Sequence, residues 1–197
     1  MEYTIVKKTD WDKVPEAKIA NACWGYDQPD VKAKAQVCYD ESFLYVKLTA
    51  KEKDIRAEEN GPLGMPCQDS CLEFFFSPTG DGRYFNIEFN PNCCNFFGFG
   101  TGITRLVRLT QEDPNKNILC PKAERTSDGW TVSYAVPFDF VRLFFPEFKA
   151  EPGTVMKGNF YKCGDLTVKE HYYSWNPMTV DHPCFHYPPD FGTLVFA

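Results

Sequence analysis

The sequence of 197 residues contains no hydrophobic run long enough to cross a bilayer, which takes about 18 or more consecutive apolar residues. It also has no cluster of lysine and arginine. These residues number 21 against 27 aspartates and glutamates, and the net charge of −6 disfavours binding to a phosphate backbone. Residues 1–19 lack the apolar segment of a secretory signal, which predicts a cytoplasmic protein if this N-terminus is native. We therefore expect neither a membrane nor a nucleic acid as partner.

Cysteine, by contrast, is frequent, with nine residues. Without a secretory signal, the simplest interpretation is nine reduced thiols, most of them buried as small hydrophobic side chains. The alternatives are a disulfide framework or a structural zinc site built from Cys67-x-x-x-Cys71 and the vicinal pair Cys93-Cys94. The vicinal pair is an awkward chelator for a tetrahedral ion, so no metal ligand is assigned from the sequence.

Alternating apolar and polar residues dominate the chain and predict strands. The predicted strands are 31–39, 43–50, 71–78, 83–92, 102–110, 118–126, 130–136, 154–163, 170–175 and 192–196. Turn signals separate them, among them Asp113-Pro114-Asn115, and residues 91–98 are expected to form a loop. Only 138–148 has helical character. Because strands do not alternate with helices, we expect one all-β domain over 1–197, an antiparallel jelly-roll-like β-sandwich with at most one or two short helices.

Two neighbouring strands show which residues share a face. Side chains alternate between the two faces of a strand, so CLEFFFSP and RYFNIEFN each divide into two sets. The apolar sets, expected to face the core, are Leu72, Phe74, Phe76, Phe85, Ile87 and Phe89. The opposite sets are Glu73, Phe75, Tyr84, Asn86, Glu88 and Asn90. A hairpin of the two strands would place two carboxyl groups, an amide and aromatic rings on one face.

The C-terminal stretch HYYSWNP suggests what such a face could bind. Alternation places His171, Tyr173 and Trp175 on one side of an extended segment, and Pro177 follows closely. An indole at the end of a strand, with polar neighbours, can stack on the apolar face of a sugar ring. Trp175 is therefore the predicted stacking residue of a carbohydrate site.

These segments also resemble a known family. DSCLEFFFSP, RYFNIEFN, the GW and VPF motifs of 129–138, GNFYKCGD, HYYSWNP and FHYPPDFGTLVF are together similar to the family 9-like carbohydrate-binding proteins. That family is related to the carbohydrate-binding modules attached to xylanases. The motifs extend from Trp11 to Phe196, so the resemblance covers nearly the whole chain.

The resemblance implies a jelly-roll-like sandwich that binds polysaccharides such as xylan or cellulose without cleaving them. The predicted carbohydrate-binding residues are Trp175, Glu73, Tyr84, Asn86, Glu88, Arg105, Tyr161 and His171. Candidates for a second stacking ring are Trp24, Tyr84, Phe97 and Tyr161. Family members usually bind calcium, for which Asp54, Asp69 and Asp81 could supply oxygens, although their spacing matches no calcium loop and favours a role in turns.

Three other functions remain open from the sequence. Glu73 and Glu88 could form the carboxyl pair of a glycoside hydrolase. Met65 and His171 could be axial ligands of a haem- or metal-binding sandwich. The chain could also be an interaction domain that has lost its sugar site. His182-x-x-x-His186 has a metal-like spacing, but the surrounding prolines exclude the helix that would bring the two rings together.

Overall fold

The structure is a computed structural model that describes residues 1–111, 113 and 116–197. The strands are β1 (Glu2–Lys7), β2 (Ala17–Ile19), β3 (Asn21–Ala22), β4 (Lys32–Tyr39), β5 (Phe43–Lys51), β6 (Cys71–Ser77), β7 (Tyr84–Phe89), β8 (Asn95–Gly100), β9 (Leu106–Arg108), β10 (Lys122–Thr126), β11 (Gly129–Pro137), β12 (Val155–Cys163), β13 (Tyr172–Ser174) and β14 (Gly192–Phe196). One helix, α1 (Phe138–Phe144), follows β11. The all-β sandwich predicted from the sequence is confirmed.

The first sheet has the strand order β10-β11-β5-β4, with β2 added on β4. The predicted hairpin of β4 and β5 is present, with Gln36 opposite Lys47. Its turn is held by Asp40, whose Oδ1 accepts hydrogen bonds from the backbone of Ser42 and Phe43. Such local capping by a short carboxylate is the physical reason that aspartate favours turns.

The second sheet has the order β14-β12-β6-β7-β8-β9, and β13 links β12 to β3. The predicted hairpin of β6 and β7 is present, with Glu73 opposite Glu88. The sandwich is not wholly antiparallel, because β1 pairs in parallel with β14 and then with β4. The N-terminal strand thus joins the two sheets, which the sequence analysis did not predict.

The core lies between the sheets and contains the residues that alternation assigned to it. Leu72, Phe74, Phe76, Phe85, Ile87 and Phe89 all belong to this core and are at most 1% exposed. Aromatic rings contact one another there; those of Phe74 and Phe160 stack with centroids 4.7 Å apart. Most of the aromatic residues of the chain are therefore packing residues.

Strand β8 corrects the expectation of a loop over 91–98. Strand β8 contains two glycines, which are disfavoured in strands, but Phe97 is buried in the core and Phe99 packs against it. Gly98 is required because a Cβ there would lie 2.7 Å from the Phe96 ring, which covers it. The strand predicted over 102–110 is shorter than expected, since residues 103–105 form a 3-10 turn before β9. In the turn predicted at 113–115, Pro114 and Asn115 lie outside the described residues.

The helical prediction for 138–148 is confirmed in its first half. Helix α1 spans seven residues, and Pro146 lies just beyond it, where proline cannot continue a helix. Within the described residues, no helix has the length and apolar character needed to span a membrane.

Candidate functional site

The side of the second sheet that points away from the core, here called the outer face, carries most of the predicted site residues. Residues directly opposite each other on neighbouring antiparallel strands lie on the same face, so the strand register defines rows across it. The first row contains Asn159, Phe75, Asn86, Gly98 and Arg108, and the second contains Ser174, Tyr161, Glu73, Glu88 and Phe96. The structure thus brings together Glu73, Asn86 and Glu88, as the alternation predicted, and places Tyr161 beside Glu73 in the second row.

Glu73 and Glu88 form a buried carboxyl pair, with 3% and 6% of their surfaces exposed. Burial, and then the charge of Glu88, raises the pKa of Glu73 well above its usual value. Burial also raises the pKa of Glu88 to about 7, although a hydrogen bond from Asn86 Nδ2 at 3.0 Å opposes this change. Burial thus disfavours ionisation of both groups, because two adjacent buried carboxyl groups do not both ionise readily.

Beside this pair, two buried acceptors have no hydrogen-bond partner, namely Asn86 Oδ1 and Glu88 Oε2. Arg108 lies at the end of the same row as Asn86, and its charge lowers the pKa of Glu88. The Arg108 guanidinium packs 4.6 Å from the centre of the Phe96 ring and donates to the carbonyls of Gly64 and Asn95. A buried acceptor without a donor is costly. Neither atom is accessible to solvent, so an external donor would reach them only after the side chains that cover them move.

Residues 177–191, here called the covering segment, lie over another part of the outer face. His186 Nδ1 hydrogen-bonds with the Tyr84 hydroxyl at 2.8 Å, and Phe185 stacks on Tyr161 with ring centroids 4.1 Å apart. Both tyrosines are fully buried as a result. Tyr84 and Tyr161 are therefore on the predicted face, but neither ring is open to a ligand in this arrangement.

Trp175 does not lie on the outer face, which contradicts the prediction of an exposed stacking ring. Its indole is 2% exposed and makes edge contacts with Phe160 and Tyr3, at centroid distances of 5.6 and 6.3 Å. Alternation had correctly placed Tyr173 and Trp175 on one side of the chain, but both belong to the core cluster. The opposite side, with Ser174, is the one that faces outwards.

His171 is likewise buried, at 2% exposure, and serves a polar network instead of a ligand. Its Nε2 lies 2.8 Å from Lys162 Nζ, and its Nδ1 lies 2.7 Å from the carbonyl of Lys169. The ammonium can only donate and the carbonyl can only accept, so the ring is neutral with its proton on Nδ1. Burial and the charge of Lys162 lower its pKa to about 4, consistent with that state.

Arg105, the arginine predicted to contact sugar, lies on the exposed 3-10 turn before β9. The arginine beside Asn86 and Glu88 is Arg108 instead, three residues further along. The sequence contained a usable signal: the strand prediction over 102–110 covered both residues, but the register that selects Arg108 depends on β8, which was expected to be a loop.

Among the candidates for a second ring, Phe97 is a core residue and Trp24 is half-buried. Trp24 packs with Phe185 and Tyr172, at centroid distances of 5.3 and 5.6 Å, and its indole N–H donates to the Val180 carbonyl at 2.8 Å. Trp24 therefore anchors the covering segment while keeping part of its ring exposed.

Two of the three acids considered for calcium have protein donors on their carboxylates. Asp69 accepts hydrogen bonds from the backbone of Glu58 and Glu59 and faces Arg56, while Asp81 accepts from the backbone and side chain of Arg83. Asp81 therefore stabilises its own turn, whereas Asp69 holds the loop at Glu58 and Glu59. In the part of the chain that the structure describes, none of the groups of three His, Cys, Asp or Glu side chains able to hold a metal includes Asp54, Asp69 or Asp81.

Two alternative chemistries lose support from the same geometry. Glu73 is buried and accepts a hydrogen bond from the Cys163 thiol at 3.1 Å, so one of its oxygens already has a partner within the protein. For the haem alternative, both ring nitrogens of His171 already have partners, and Met65 is an exposed residue that contacts Arg108.

We expect His186 to make the stability of the protein depend on pH. Burial lowers its pKa to about 4, against about 6.5 in an unfolded chain. Between these values the unfolded chain binds a proton that the folded protein does not. The contribution of neutral His186 to stability is therefore complete above about pH 6.5 and is lost as the pH falls towards 4. From pH 7 to pH 5, the free energy of unfolding should fall more for the wild type than for His186→Gln. The difference should be about 1–2 kcal/mol, measured by urea titration.

The matched control is His182→Gln, because His182 lies on the same covering segment and its side chain is 68% exposed. This variant should lose the same stability as the wild type between the two pH values. If His186→Gln also does so, His186 does not remain neutral in the folded protein at pH 5.

The sandwich and its polar, aromatic-lined outer face define a β-sandwich binding module. Carbohydrate-binding family 9 matches residues 4–196, and the chain belongs to that family. A solved structure from Bacteroides uniformis, assigned to carbohydrate binding, is similar over 100% of this chain and 98% of its own, with 26% identity and a TM-score of 0.83.

Two structures of a family 9 carbohydrate-binding module from Caldicellulosiruptor kristjanssonii, one with glucose and one with cellotriose, share the fold. Each covers 100% of this chain at 14% identity. Their TM-scores are 0.72 and 0.71, over 96% and 93% of their own chains respectively. A search of curated proteins finds no significant match.

Proposed function

We propose that this protein binds carbohydrate without cleaving it, at the part of the outer face around Asn86, Glu88 and Arg108. Family membership supports the general function, since carbohydrate-binding modules are generally non-catalytic. The related modules that bind glucose and cellotriose support a glucose-containing oligosaccharide as the first ligand to test.

The observation that carries this placement is the pair of unpartnered acceptors, Asn86 Oδ1 and Glu88 Oε2. Sugar hydroxyls donate hydrogen bonds to such acceptors, and their oxygens accept from a guanidinium such as that of Arg108. A site built to hydrogen-bond hydroxyl groups discriminates strongly against ligands that lack them, because its own polar groups would then stay unpaired.

The apolar side of the proposed site is Phe96. This half-buried ring lies over Gly98, directly beside Glu88, and packs against the Arg108 guanidinium. Gly98 lies between Asn86 and Arg108 in the row, and the Phe96 ring and the Leu106 side chain cover it. The buried indole of Trp175 has no part in this proposal.

The test is calorimetric titration with glucose and cellotriose, comparing Arg108→Ala with Arg105→Ala. Hydrogen bonds to a charged group contribute about 1.5–3 kcal/mol, so Arg108→Ala should weaken binding by about tenfold to a hundredfold. Arg105→Ala is the matched control, because it removes the same charge three residues away on the exposed turn, and it should bind like the wild type.

Two results would contradict the proposal. The first is no heat of binding with glucose, cellotriose or xylan- and cellulose-derived oligosaccharides. The second is equal loss of affinity in the two arginine variants, which would indicate a general effect of positive charge. An Asn86→Leu variant that binds normally would exclude the placement while leaving carbohydrate binding itself intact.

A further inference from the structure

Two thiols meet the Glu73 carboxyl group on the outer face, where β6 begins and β12 ends. Cys71 on β6 lies directly opposite Cys163 on β12, and the Cys163 thiol donates to Glu73 Oε1 at 3.1 Å. The two sulfur atoms and a Glu73 oxygen all lie within 4.8 Å of one another, in side chains that are at most 3% exposed. No other such group of three ligands is found in the part of the chain that the structure describes.

A third cysteine lies at the solvent side of this group. The backbone oxygen of Cys67 is 3.8 Å from Cys163 Sγ, and Cys67 is half-buried. Its position is fixed by the loop after β12, where the backbone N–H groups of Asp165 and Leu166 donate to the carbonyls of Cys67 and Gln68 at 3.1 and 3.2 Å. Cys67 is therefore held beside the group by backbone geometry, without depending on its own side chain.

The side chains of Cys71, Glu73 and Cys163 are anions when deprotonated. The ammonium of nearby Lys162 does not lie beside them. Lys162 lies on the same strand as Cys163, but alternation sends it to the other side of the sheet, where Nζ contacts Glu52 and His171. A bound cation would supply the missing positive charge. Thiolate and carboxylate ligands with no redox partner favour Zn²⁺, which takes four such ligands in a tetrahedron.

We propose that Cys67, Cys71, Glu73 and Cys163 form a binding site for one Zn²⁺ ion. In a tetrahedral site with Zn–S distances of about 2.3 Å, neighbouring ligand atoms are about 3.3–3.8 Å apart. The separations within 4.8 Å among Cys71, Glu73 and Cys163 need only a small contraction to reach this. The Cys67 sulfur is not among the three atoms that already lie together, so Cys67 would become the fourth ligand by rotation of its half-buried side chain.

Without an ion, the thiols of this site carry protons. Burial raises the pKa of Cys71 to about 12, and the hydrogen bond with Cys71 together with burial raises that of Cys163 well above its usual value. Zn²⁺ would displace the thiol protons to solvent as its bonds to sulfur form, with no change of oxidation state. Binding should therefore release protons and become tighter as the pH rises.

The experiment is a titration of the full chain, reduced and freed of metal, with Zn²⁺ against a competing chromogenic chelator. We expect one tightly bound ion per chain and a higher melting temperature with Zn²⁺, since a ligand of the folded state stabilises it. Titration with Co²⁺ should produce the intense thiolate-to-cobalt charge-transfer band and the visible bands of a tetrahedral site.

The variants Cys163→Ser and Glu73→Gln should each weaken Zn²⁺ binding by more than about a hundredfold, because even partners of metal ligands contribute ten- to hundredfold. Cys67→Ser repeats the test at a half-exposed position, where loss of folding is not expected. Cys120→Ser, which removes an exposed thiol, is the control and should bind like the wild type.

Three results would overturn the proposal. One is the absence of tight Zn²⁺ binding by the reduced, folded chain. Another is bound Co²⁺ without the thiolate band. The last is a chain mass lower by two hydrogen atoms, with the peptides of Cys71 and Cys163 still joined after treatment with a reducing agent. That result would show a disulfide in place of a metal site. Sugar titrations of the same variants measure carbohydrate binding independently. A failure of the zinc proposal can therefore be distinguished from a failure of the proposed function.

Discussion

Replacing Trp175 by alanine is expected to destabilise the protein by about 3–5 kcal/mol, because it removes a large ring from a close-packed core. The indole contacts Tyr3 and Phe160. It also leaves no room at Gly192, where a Cβ would lie 2.5 Å from the ring. The backbone around it is equally constrained, since the Trp175 N–H donates to the Phe160 carbonyl at 2.9 Å. Urea unfolding of Trp175→Ala and wild type measures the loss directly.

Trp175→Phe separates the core role from a ligand role. It keeps an aromatic ring and should recover much of the stability, and its affinity for sugar should equal that of the wild type. Trp24→Ala is the comparison, since this tryptophan is half-buried on the outer face and should cost less stability. A stable Trp175→Ala protein that no longer binds sugar would show that Trp175 is a ligand contact after all.

The second large effect is expected at Lys162, whose ammonium is completely buried. It lies 3.2 Å from Glu52 Oε1 and donates to the Cys163 carbonyl at 2.8 Å, while Glu52 also accepts from the Trp130 indole and the Ser70 hydroxyl. Lys162→Met leaves the Glu52 carboxylate buried without its cation. Removing one partner of a buried ion pair costs about 3–5 kcal/mol, which unfolding in urea would detect.

A double-mutant cycle with Glu52→Gln identifies the cause. The double variant should be more stable than Lys162→Met alone, because the uncompensated charge is then gone. Lys51→Met is the control, because Lys51 directly precedes Glu52 and its salt bridge to Asp128 is more than half exposed on both sides. Such surface pairs contribute at most about 1 kcal/mol. Equal losses in Lys51→Met and Lys162→Met would contradict a special role for the buried pair.

Much of the fold could be predicted because alternation is a local property. The period of two correctly assigned Phe74, Phe76, Phe85 and Phe89 to the core. It failed for β8, where glycines disguise the pattern. The glycine at position 98 is explained only by the Phe96 ring above it, and that is a contact within the folded sheet.

The candidate site was predictable where it lies within one hairpin. Glu73, Asn86 and Glu88 share a face because β6 and β7 are adjacent in both sequence and space. Arg108 was missed because its place in the row depends on the register of two further strands. The burial of Tyr84 and Tyr161 was missed because it depends on residues distant in the chain. His186, which contacts Tyr84, is 102 residues away, and Phe185, which contacts Tyr161, is 24 residues away.

The sequence by itself determined the sheet-rich architecture, the family and the grouping of side chains into two faces per strand. The tertiary structure alone decided which of two faces points inwards, as for Tyr173 and Trp175, and which distant strands become neighbours, as for Cys71 and Cys163. The physical reason is that alternation follows from the local geometry of an extended chain. The direction of a face and the pairing of strands depend on what the rest of the chain packs against them.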